Sequence, residues 1–431
     1  MEKRSNLRWW LAFLFFIIGL VAYMDRSTIA VVAIPMMEEF HMDKIEFGFL
    51  NSLFSLGYAA SQIPAGIISE KYGARFIVSF ALIWWSVFTM LTPAVKSYGL
   101  LGTVRFLFGI GEGPMYPGNA VFNSYWFSKK EKGRASSALL AGSYFGPVIG
   151  PAITVAIFQA FGWEAAFYII GIVGILIGVI WYALGRNKPE DHPRISKNEL
   201  EFIMKERAVS KEAKKAAPWG KLLKNVRFWI FGLTYFVTIY IVTIYLVWLP
   251  TYLQEARHLT LAKSGLSASL PWLAIFITVM TGGAISDKLL NKGKSKMAAR
   301  GGLAIGGLIV FAITMFLASR ATSTSMSVLW LTLSLGSLGF PVVTSWAVAN
   351  DLGQQFAGSV SGWMNMWGNI GAFLSPLICG WLAQTIGWNA ALMINIIPIV
   401  ITALLWFGVR PDIALFQESE ESFTETENMH A

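Results

Sequence analysis

The sequence has little charge, one cysteine and few histidines. Of its 431 residues, only 14% are charged, whereas soluble domains carry about 25%. The single cysteine, Cys379, excludes an intramolecular disulfide and a metal site built from cysteines. The four histidines lie far apart, in predicted loops or tails, so they form no metal-binding cluster. We therefore expect neither a bound metal nor a cofactor.

The sequence lacks the residue patterns typical of two functional classes, nucleic-acid or nucleotide binding and intramembrane catalysis. The net charge of +9 is spread between apolar runs rather than gathered on a soluble basic face, which argues against nucleic-acid binding. The glycines of Gly109–Gly113 follow an apolar helix and not a strand, so they indicate helix packing instead of a nucleotide loop. An intramembrane enzyme would need a nucleophile and base, or metal ligands, at membrane depth. No histidine lies in a predicted span, so we expect no enzyme.

What the sequence does contain is long apolar runs, because 55% of its residues are hydrophobic. A helix needs about 20 mostly apolar residues to cross a bilayer. Twelve runs meet that need: 9–33, 46–67, 75–94, 97–121, 134–159, 164–185, 227–253, 264–287, 298–318, 325–349, 355–384 and 388–409. The sequence predicts an all-α polytopic membrane protein of twelve transmembrane helices.

The chain also repeats itself. Phe161–Ala166 (FGWEAA) recurs as Ile386–Ala391 (IGWNAA), 225 residues further on. Internal repeats of this kind indicate two six-helix bundles with a binding site between them. The predicted organisation is therefore an N-terminal bundle (1–185), a linker loop (186–226), a C-terminal bundle (227–410) and an acidic, disordered tail (411–431).

Lysine and arginine indicate the orientation. With the N-terminus inside, 27 of the 34 basic residues lie in cytoplasmic segments and only 5 in outer loops. We expect a multi-pass protein of the inner cell membrane with both termini in the cytoplasm. One chain holds a complete pathway, so we expect it to function as a monomer.

Four ionisable groups lie deep within predicted spans: Asp25, Arg26, Arg105 and Glu112. Such groups are costly in a bilayer and are functional by default. Arg105 and Glu112 lie two turns apart on one helix face. Asp25 and Arg26 point about 100° apart. We expect Arg26 to face a central cavity and Asp25 to turn toward span 4 and Arg105.

The loop between spans 2 and 3 carries a motif with the residues Gly66, Glu70, Gly73 and Arg75. Part of it returns between spans 8 and 9 with Asp287 in the acidic position. This pattern resembles the loop signature of the major facilitator superfamily. Arg105-xxx-Gly109-x-Gly111 resembles the second signature of that superfamily. The resemblance implies the twelve-helix fold of these transporters, with the loop motif acting in gating.

A finer resemblance is to the anion:cation symporter family, which includes galactonate, glucarate and hexuronate transporters. It is carried by Tyr23–Arg26, Gly57-Tyr58, Arg105-x6-Glu112, Tyr116–Asn119, Ser345-Trp346 and Asn365-xxx-Asn369. The resemblance implies proton uptake at Asp25 and Glu112. It also implies substrate contacts at Tyr23, Tyr58, Ser345, Trp346, Asn365 and Asn369, with Ser143 at the matching position of span 5.

These residues suggest a mechanism. A guanidinium has the geometry to bind a carboxylate, so Arg26 would hold the substrate anion. Asp25 and Glu112 would take up protons, and Arg105 would pair with one acid until that acid is protonated. The alternative is one static network of buried salt bridges, although such networks are poor stabilisers.

One position departs from the sugar-acid members, which tend to carry glutamine where this chain has Ser143. Serine offers fewer hydrogen bonds to polyol hydroxyls than glutamine does. The sequence predicts a proton-coupled importer of a small organic carboxylate, such as a sugar acid. An anion exchanger, a uniporter or a carrier of an aromatic carboxylate are the alternatives.

Overall fold

The computed structural model describes residues 6–128, 131–208 and 217–415. Within these residues the chain is almost entirely helical and contains no strand. The predicted disordered tail lies outside the described residues beyond Leu415. All twelve predicted spans are present as helices, numbered α1 to α12 below, and the predicted fold class is confirmed.

The first six spans alternate across the molecule with short connections. Their bounds are α1 Leu7–Val31, α2 Lys44–Tyr72, α3 Ala74–Leu91, α4 Tyr98–Glu112 continued by Met115–Trp126, α5 Lys132–Phe161 and α6 Trp163–Leu184. A short helix, Ala33–Glu39, extends α1. The break in α4 falls at Gly113–Pro114, where proline interrupts the hydrogen-bond ladder.

The second six spans follow a linker that holds the short helices Lys197–Ala208 and Trp219–Lys224. Their bounds are α7 Val226–Glu255, α8 Leu261–Asn291, α9 Gly302–Arg320, α10 Thr324–Gly353, α11 Ala357–Ile386 and α12 Trp388–Ile394 continued by Ile396–Val409. Several helices run past the predicted ends, because hydropathy marks only the apolar part of a helix whose backbone bonding continues beyond it.

Two of the twelve spans do not meet the length and hydropathy expected of a membrane-spanning helix when each helix is considered by itself. In the described chain, nine stretches meet the length and hydropathy expected of a membrane span, and one of them, Thr324–Ile386, contains both α10 and α11. The two exceptions are α2, whose uncharged polar residues lower its mean hydropathy, and α4, which is broken. The outer surface of the bundle is apolar, as expected of a surface in contact with lipid. On α6, for example, four large apolar side chains are exposed in a row: Ile172, Leu176, Val179 and Ile180.

The two halves pack in the same order. In the first half α1 packs along α5, α2 along α4 and α3 along α6; in the second, α7 packs along α11, α8 along α10 and α9 along α12. Glycine permits a close helix approach at two positions related by the sequence repeat. A Cβ on Gly146 would clash with the carbonyl oxygen of Leu20, and one on Gly371 with that of Phe236.

The halves meet mainly through α2 against α11 and α5 against α8. On the face where α2 begins, here called the far face, Lys44 forms an ion pair with Glu255 at 3.0 Å. Close by, the Gln384 amide donates to the Asp43 carboxylate at 3.0 Å. These bonds join the two halves and close the far face.

The opposite face, here called the terminal face, carries the start of α1 and the end of α12. There the halves separate, because a Cβ added to Gly66 of α2 or to Gly358 of α11 would meet no atom of another helix within 4 Å. Ile63 and Ile67 of α2 are 78% and 66% exposed. The space between the halves therefore opens toward the terminal face.

Candidate functional site

A cavity of about 170 Å³ lies between the two halves. Both bundles supply its wall, through α1, α2, α4 and α5 on one side and α7, α8, α10 and α11 on the other. Six of the eight predicted substrate residues line it: Tyr23, Arg26, Tyr58, Trp346, Asn365 and Asn369. The fold thus brings together positions more than 340 residues apart in the sequence.

Arg26 is the cation of this cavity. Its Nε donates to both oxygens of Glu112, at 2.9 and 3.1 Å. The two side chains are only 12% and 0% exposed. The guanidinium also lies against the rings of Tyr23, Phe54 and Tyr58, at 4.4, 4.8 and 4.9 Å. In the described part of the chain, Nη2 of Arg26 has no hydrogen-bond partner. One edge of the guanidinium is therefore committed to Glu112, while a second nitrogen is available.

In this conformation Arg105 is not paired with an acid among the described residues, and its predicted pairing during the transport cycle stays a prediction. Arg105 is buried and lies over the rings of Phe54 and Phe108, at 5.3 and 4.9 Å. It has no ion pair within 4 Å among residues 6–128, 131–208 and 217–415. Seven residues along a helix span about 10.5 Å, so Arg105 cannot easily reach Glu112 along α4. Arg26 reaches Glu112 from the neighbouring helix instead.

Asp25 lies apart from the cavity, in the interior of the N-terminal half. Asp25 is 3% exposed, and its carboxyl group lies near Glu112 and Arg105 and near Thr89 and Trp85 of α3. Neither carboxyl oxygen has a hydrogen-bond partner in the described structure. A buried charge without hydrogen bonds is costly, and a bound proton would remove that charge.

Two predicted substrate residues do not line the cavity. Ser143 forms a hydrogen bond with the Tyr116 hydroxyl at 3.0 Å, and Tyr116 lines the wall in front of it. Ser345 is buried and donates to the carbonyl of Pro341 at 2.7 Å. Ser143 thus orients a cavity residue, whereas Ser345 is turned away.

Sequence reasoning missed most of the aromatic and aliphatic wall. The residues it did not select are Tyr116, Leu140, Tyr144, Tyr235, Ile239, Val242, Thr243, Leu246, Trp272, Gly368 and Ala372. Besides the bond between Ser143 and Tyr116, a second hydrogen bond joins a missed residue to a predicted one, since Trp346 donates to the Tyr235 hydroxyl at 3.1 Å. The sequence did offer one indication of these wall residues, because several of them are tyrosines in the middle of a span, far from either membrane interface.

The loop motif lies at the terminal face, away from the cavity. Gly73 adopts φ +82° and ends α2, a conformation that favours glycine. The backbone N–H of Arg75 donates to Asn187 at 2.9 Å, and the Arg75 Nε donates to the Tyr182 carbonyl at 2.8 Å. These bonds fix the motif to the end of α6.

The acidic residues of the motif differ in their surroundings. Glu70 is exposed beside the open space below Gly66. In the second copy, Asp287 interacts with Arg300, which also forms an ion pair with Asp351. The motif contacts therefore stay within each half in this open arrangement.

Comparison with known proteins identifies the family. The sequence profile of the Major Facilitator Superfamily matches residues 15–376. The chain belongs to this superfamily. It is 30% identical to the "Probable galactarate/D-glucarate transporter GudP" of Bacillus subtilis (strain 168), over 97% of this chain and 96% of that protein. It is 29% identical to "Probable anion transporter 4, chloroplastic" of Oryza sativa subsp. japonica, over 93% of this chain and 68% of that protein.

A solved structure matches the fold. A bacterial homolog of the human lysosomal transporter Spinster, in an inward-facing and unoccupied conformation, aligns with a TM-score of 0.77. The alignment covers 95% of this chain and 98% of that one at 16% identity. This likeness agrees with the fold of the family, while the family match and the named relatives show a multi-pass membrane transporter and not an enzyme.

Proposed function

We propose that this protein imports a small organic carboxylate by proton symport, using alternating access. The observation that carries the proposal is the Arg26–Glu112 ion pair on the wall of the cavity between the two halves. A cation that already binds a carboxylate in this place can bind the carboxylate of a substrate instead. The names of the two relatives, a sugar-acid transporter and an anion transporter, support an anionic substrate.

Proton coupling follows from competition for Arg26. While Glu112 is ionised, it occupies the Nε edge of the guanidinium. Protonation of Glu112 weakens that contact, because a hydrogen bond between two charged groups is roughly twice as strong as a neutral one. The substrate carboxylate then takes the place of Glu112. Proton and anion enter together, and the net charge of the site is unchanged.

Asp25 serves as the second proton site in this proposal. Asp25 lies close enough to Glu112 and Arg105 to interact with both electrostatically. A change in its protonation therefore alters the strength of the ion pair between Arg26 and Glu112. With Glu112 protonated and the anion bound to Arg26, the two halves can rock against each other while the Arg26 site carries no net charge. A proton on Asp25 leaves Arg105 as the one uncompensated cation among the described residues of this site, and it lies over the rings of Phe54 and Phe108. The far-face bonds of Lys44 and Asp43 would then break as the terminal face closes.

The excess of basic residues in the segments on the terminal face supports a cytoplasmic location for that face. The described arrangement is then open to the cytoplasm. We propose import into the cell across the inner membrane by a single chain acting as a monomer.

The test is transport by purified protein in liposomes that contain a pH dye. A panel of sugar acids, hexuronates, dicarboxylates and aromatic carboxylates is added one at a time. Symport predicts internal acidification with at least one anion and none in empty liposomes. Exchange of a labelled anion without acidification by any member would refute the proton roles of Asp25 and Glu112.

Two variants assign the residues. Arg26→Ala should abolish anion binding, with the exposed Arg320→Ala as the matched control. Glu112→Gln should stop proton-driven accumulation but preserve exchange of anion for anion, with the exposed Glu38→Gln as control. Undiminished accumulation by Glu112→Gln would remove Glu112 from the proton path, and wild-type binding by Arg26→Ala would remove the carboxylate role.

A further inference from the structure

The charge and polarity of the cavity are uneven from one wall to the other. Resting on the proposed anion transport, we propose that the cavity selects a monocarboxylate with a single aromatic ring. It would discriminate against sugar dicarboxylates of the kind that the name of the Bacillus relative specifies.

The first argument is the number of cations. Among the described residues that line the cavity, Arg26 is the only charged one. One carboxylate can bind there. A second carboxylate at the other end of the substrate would enter the cavity without a partner, which is costly for a buried charge.

The second argument is that part of the cavity wall is hydrocarbon. It is formed by Leu140 of α5 and by Ile239, Val242 and Leu246 of α7. The one hydroxyl there, on Thr243, donates to the carbonyl of Ile239 at 2.8 Å. Polyol hydroxyls placed against this wall would lose their hydrogen bonds to water without replacement.

The third argument is that polar groups near the cavity already bind each other. The Trp346 indole donates to Tyr235, and the Tyr116 hydroxyl bonds to Ser143. Asn365 donates to Gln62 at 3.4 Å, so Asn369 is the cavity amide without a side-chain hydrogen bond among the described residues. The hydroxyls of Tyr23, Tyr58 and Tyr144 also line the cavity, and the rings of Tyr23 and Tyr58 lie against the Arg26 guanidinium. Two of these three hydroxyls therefore belong to the rings around the carboxylate site, which leaves the Tyr144 hydroxyl and the Asn369 amide as the main polar partners for the rest of a substrate.

The fourth argument is shape. The rings of Tyr144 and Trp272 line the cavity, and flat rings favour stacked or edge contacts with other aromatic groups. The volume of about 170 Å³ is close to that of an apolar cavity of about 150 Å³ that holds benzene. A benzoate or a phenylacetate therefore fits, with its carboxylate on Arg26 and its ring against α7 and α8.

The experiment is calorimetric binding to the purified full-length protein in lipid nanodiscs. The probes are benzoate, phenylacetate and 4-hydroxybenzoate, compared with gluconate, glucarate and galactarate. We expect at least one aromatic monocarboxylate to bind tenfold or more tightly than every sugar acid. Equal or tighter binding of glucarate, galactarate or gluconate would overturn the proposal, as would no binding of any aromatic probe.

Substitutions on the cavity wall test where the aromatic ring of the bound ligand lies. Trp272→Ala should weaken binding of the aromatic probe by tenfold or more, while Trp381→Ala, on a side chain that is 51% exposed on α11, should leave it unchanged. Val242→Thr changes little volume and should weaken the same probe severalfold, so it decides the question if Trp272→Ala does not fold. Wild-type affinity in a folded Trp272→Ala or in Val242→Thr would contradict the assigned wall.

The two proposals fail in different ways. Aromatic binding without acidification of liposomes would refute proton symport and keep the ligand class. Acidification driven by glucarate or galactarate, with no response to aromatic acids, would keep symport and overturn the ligand class.

Discussion

Removing the carboxylate of Glu112 should tighten anion binding rather than weaken it. In the described arrangement, Arg26 Nε is shared between the two Glu112 oxygens at 2.9 and 3.1 Å. An incoming carboxylate must displace this contact. A hydrogen bond to a charged group contributes about 1.5–3 kcal/mol, so the displacement lowers affinity by roughly 10- to 150-fold. In Glu112→Gln the amide oxygen still accepts from Arg26, but as a neutral partner. We therefore expect the variant to bind the anion about tenfold more tightly than the wild type, near the lower end of that range.

The same substitution should change the pH dependence and the stability. Anion binding by the wild type should weaken as pH rises, because Glu112 loses its proton and competes for Arg26. Anion binding by Glu112→Gln should not show this weakening with rising pH, because the glutamine does not ionise. Without its counter-ion, the buried Arg26 should destabilise the unliganded variant by about 3–5 kcal/mol. A bound anion restores a partner, so it should raise the melting temperature of the variant more than that of the wild type.

Calorimetry in nanodiscs at several pH values, with Glu38→Gln as the control, measures these effects. An unchanged affinity and an unchanged pH slope would refute the reasoning. That result has a definite structural meaning, since Nη2 of Arg26 lacks a partner in the described chain. The anion would then bind the free edge of the guanidinium beside Glu112 instead of replacing it.

Three further predictions concern the two faces. Lys44→Ala removes the partly exposed pair with Glu255, worth about 0.2–1 kcal/mol; spin-label distances across the far face should show a larger open population, and an identical distribution would contradict a gating role. Glu199→Gln should lower stability by about 1–3 kcal/mol, because Arg8 Nη1 donates to buried Glu199 at 2.7 Å while Arg8 Nη2 keeps its ion pair with Glu131 at 3.0 Å; in thermal unfolding Glu131→Gln should then cost more stability in the Glu199→Gln background than in the wild type, and an equal cost would argue against a shared arginine. Burial lowers the pKa of His192, so its neutral form stabilises the docked linker above the ordinary histidine pKa of 6.5, and that stability is lost as pH falls below this value; hydrogen exchange at residues 186–196 should rise accordingly at about pH 5.5 against about pH 7.5, with His192→Ala showing no such dependence if the assignment is correct.

The architecture could be predicted from the sequence because the bilayer imposes a simple rule. Each span must satisfy its backbone internally and present apolar side chains for about 20 residues, and both requirements are local. The repeat at 225 residues likewise indicated two similar halves, and the structure pairs the helices of each half in the same order. The ends of α2 and the break in α4 were not predicted. Hydropathy marks only the apolar part of α2, and the break in α4 depends on the missing backbone N–H of Pro114 rather than on hydropathy.

The charged site was predictable in part. Asp25, Arg26, Arg105 and Glu112 were identified because intramembrane charges are rare and costly. Their pairing was not, because contact between Arg26 and Glu112 depends on how α1 and α4 lie beside each other. Spacing along α4 favoured Arg105 as a partner, and the tertiary structure placed that side chain against Phe54 and Phe108 instead.

The sequence by itself determined that the chain spans a membrane twelve times, in two related halves, with a few charges held away from lipid. Only the tertiary structure decided which apolar residues form the wall of the cavity. The reason is that lipid, protein interior and an apolar binding wall all select the same side chains. Ile239, Val242 and Leu246 of α7 could have faced any of the three, and the packing of the two halves placed them on the wall of the cavity.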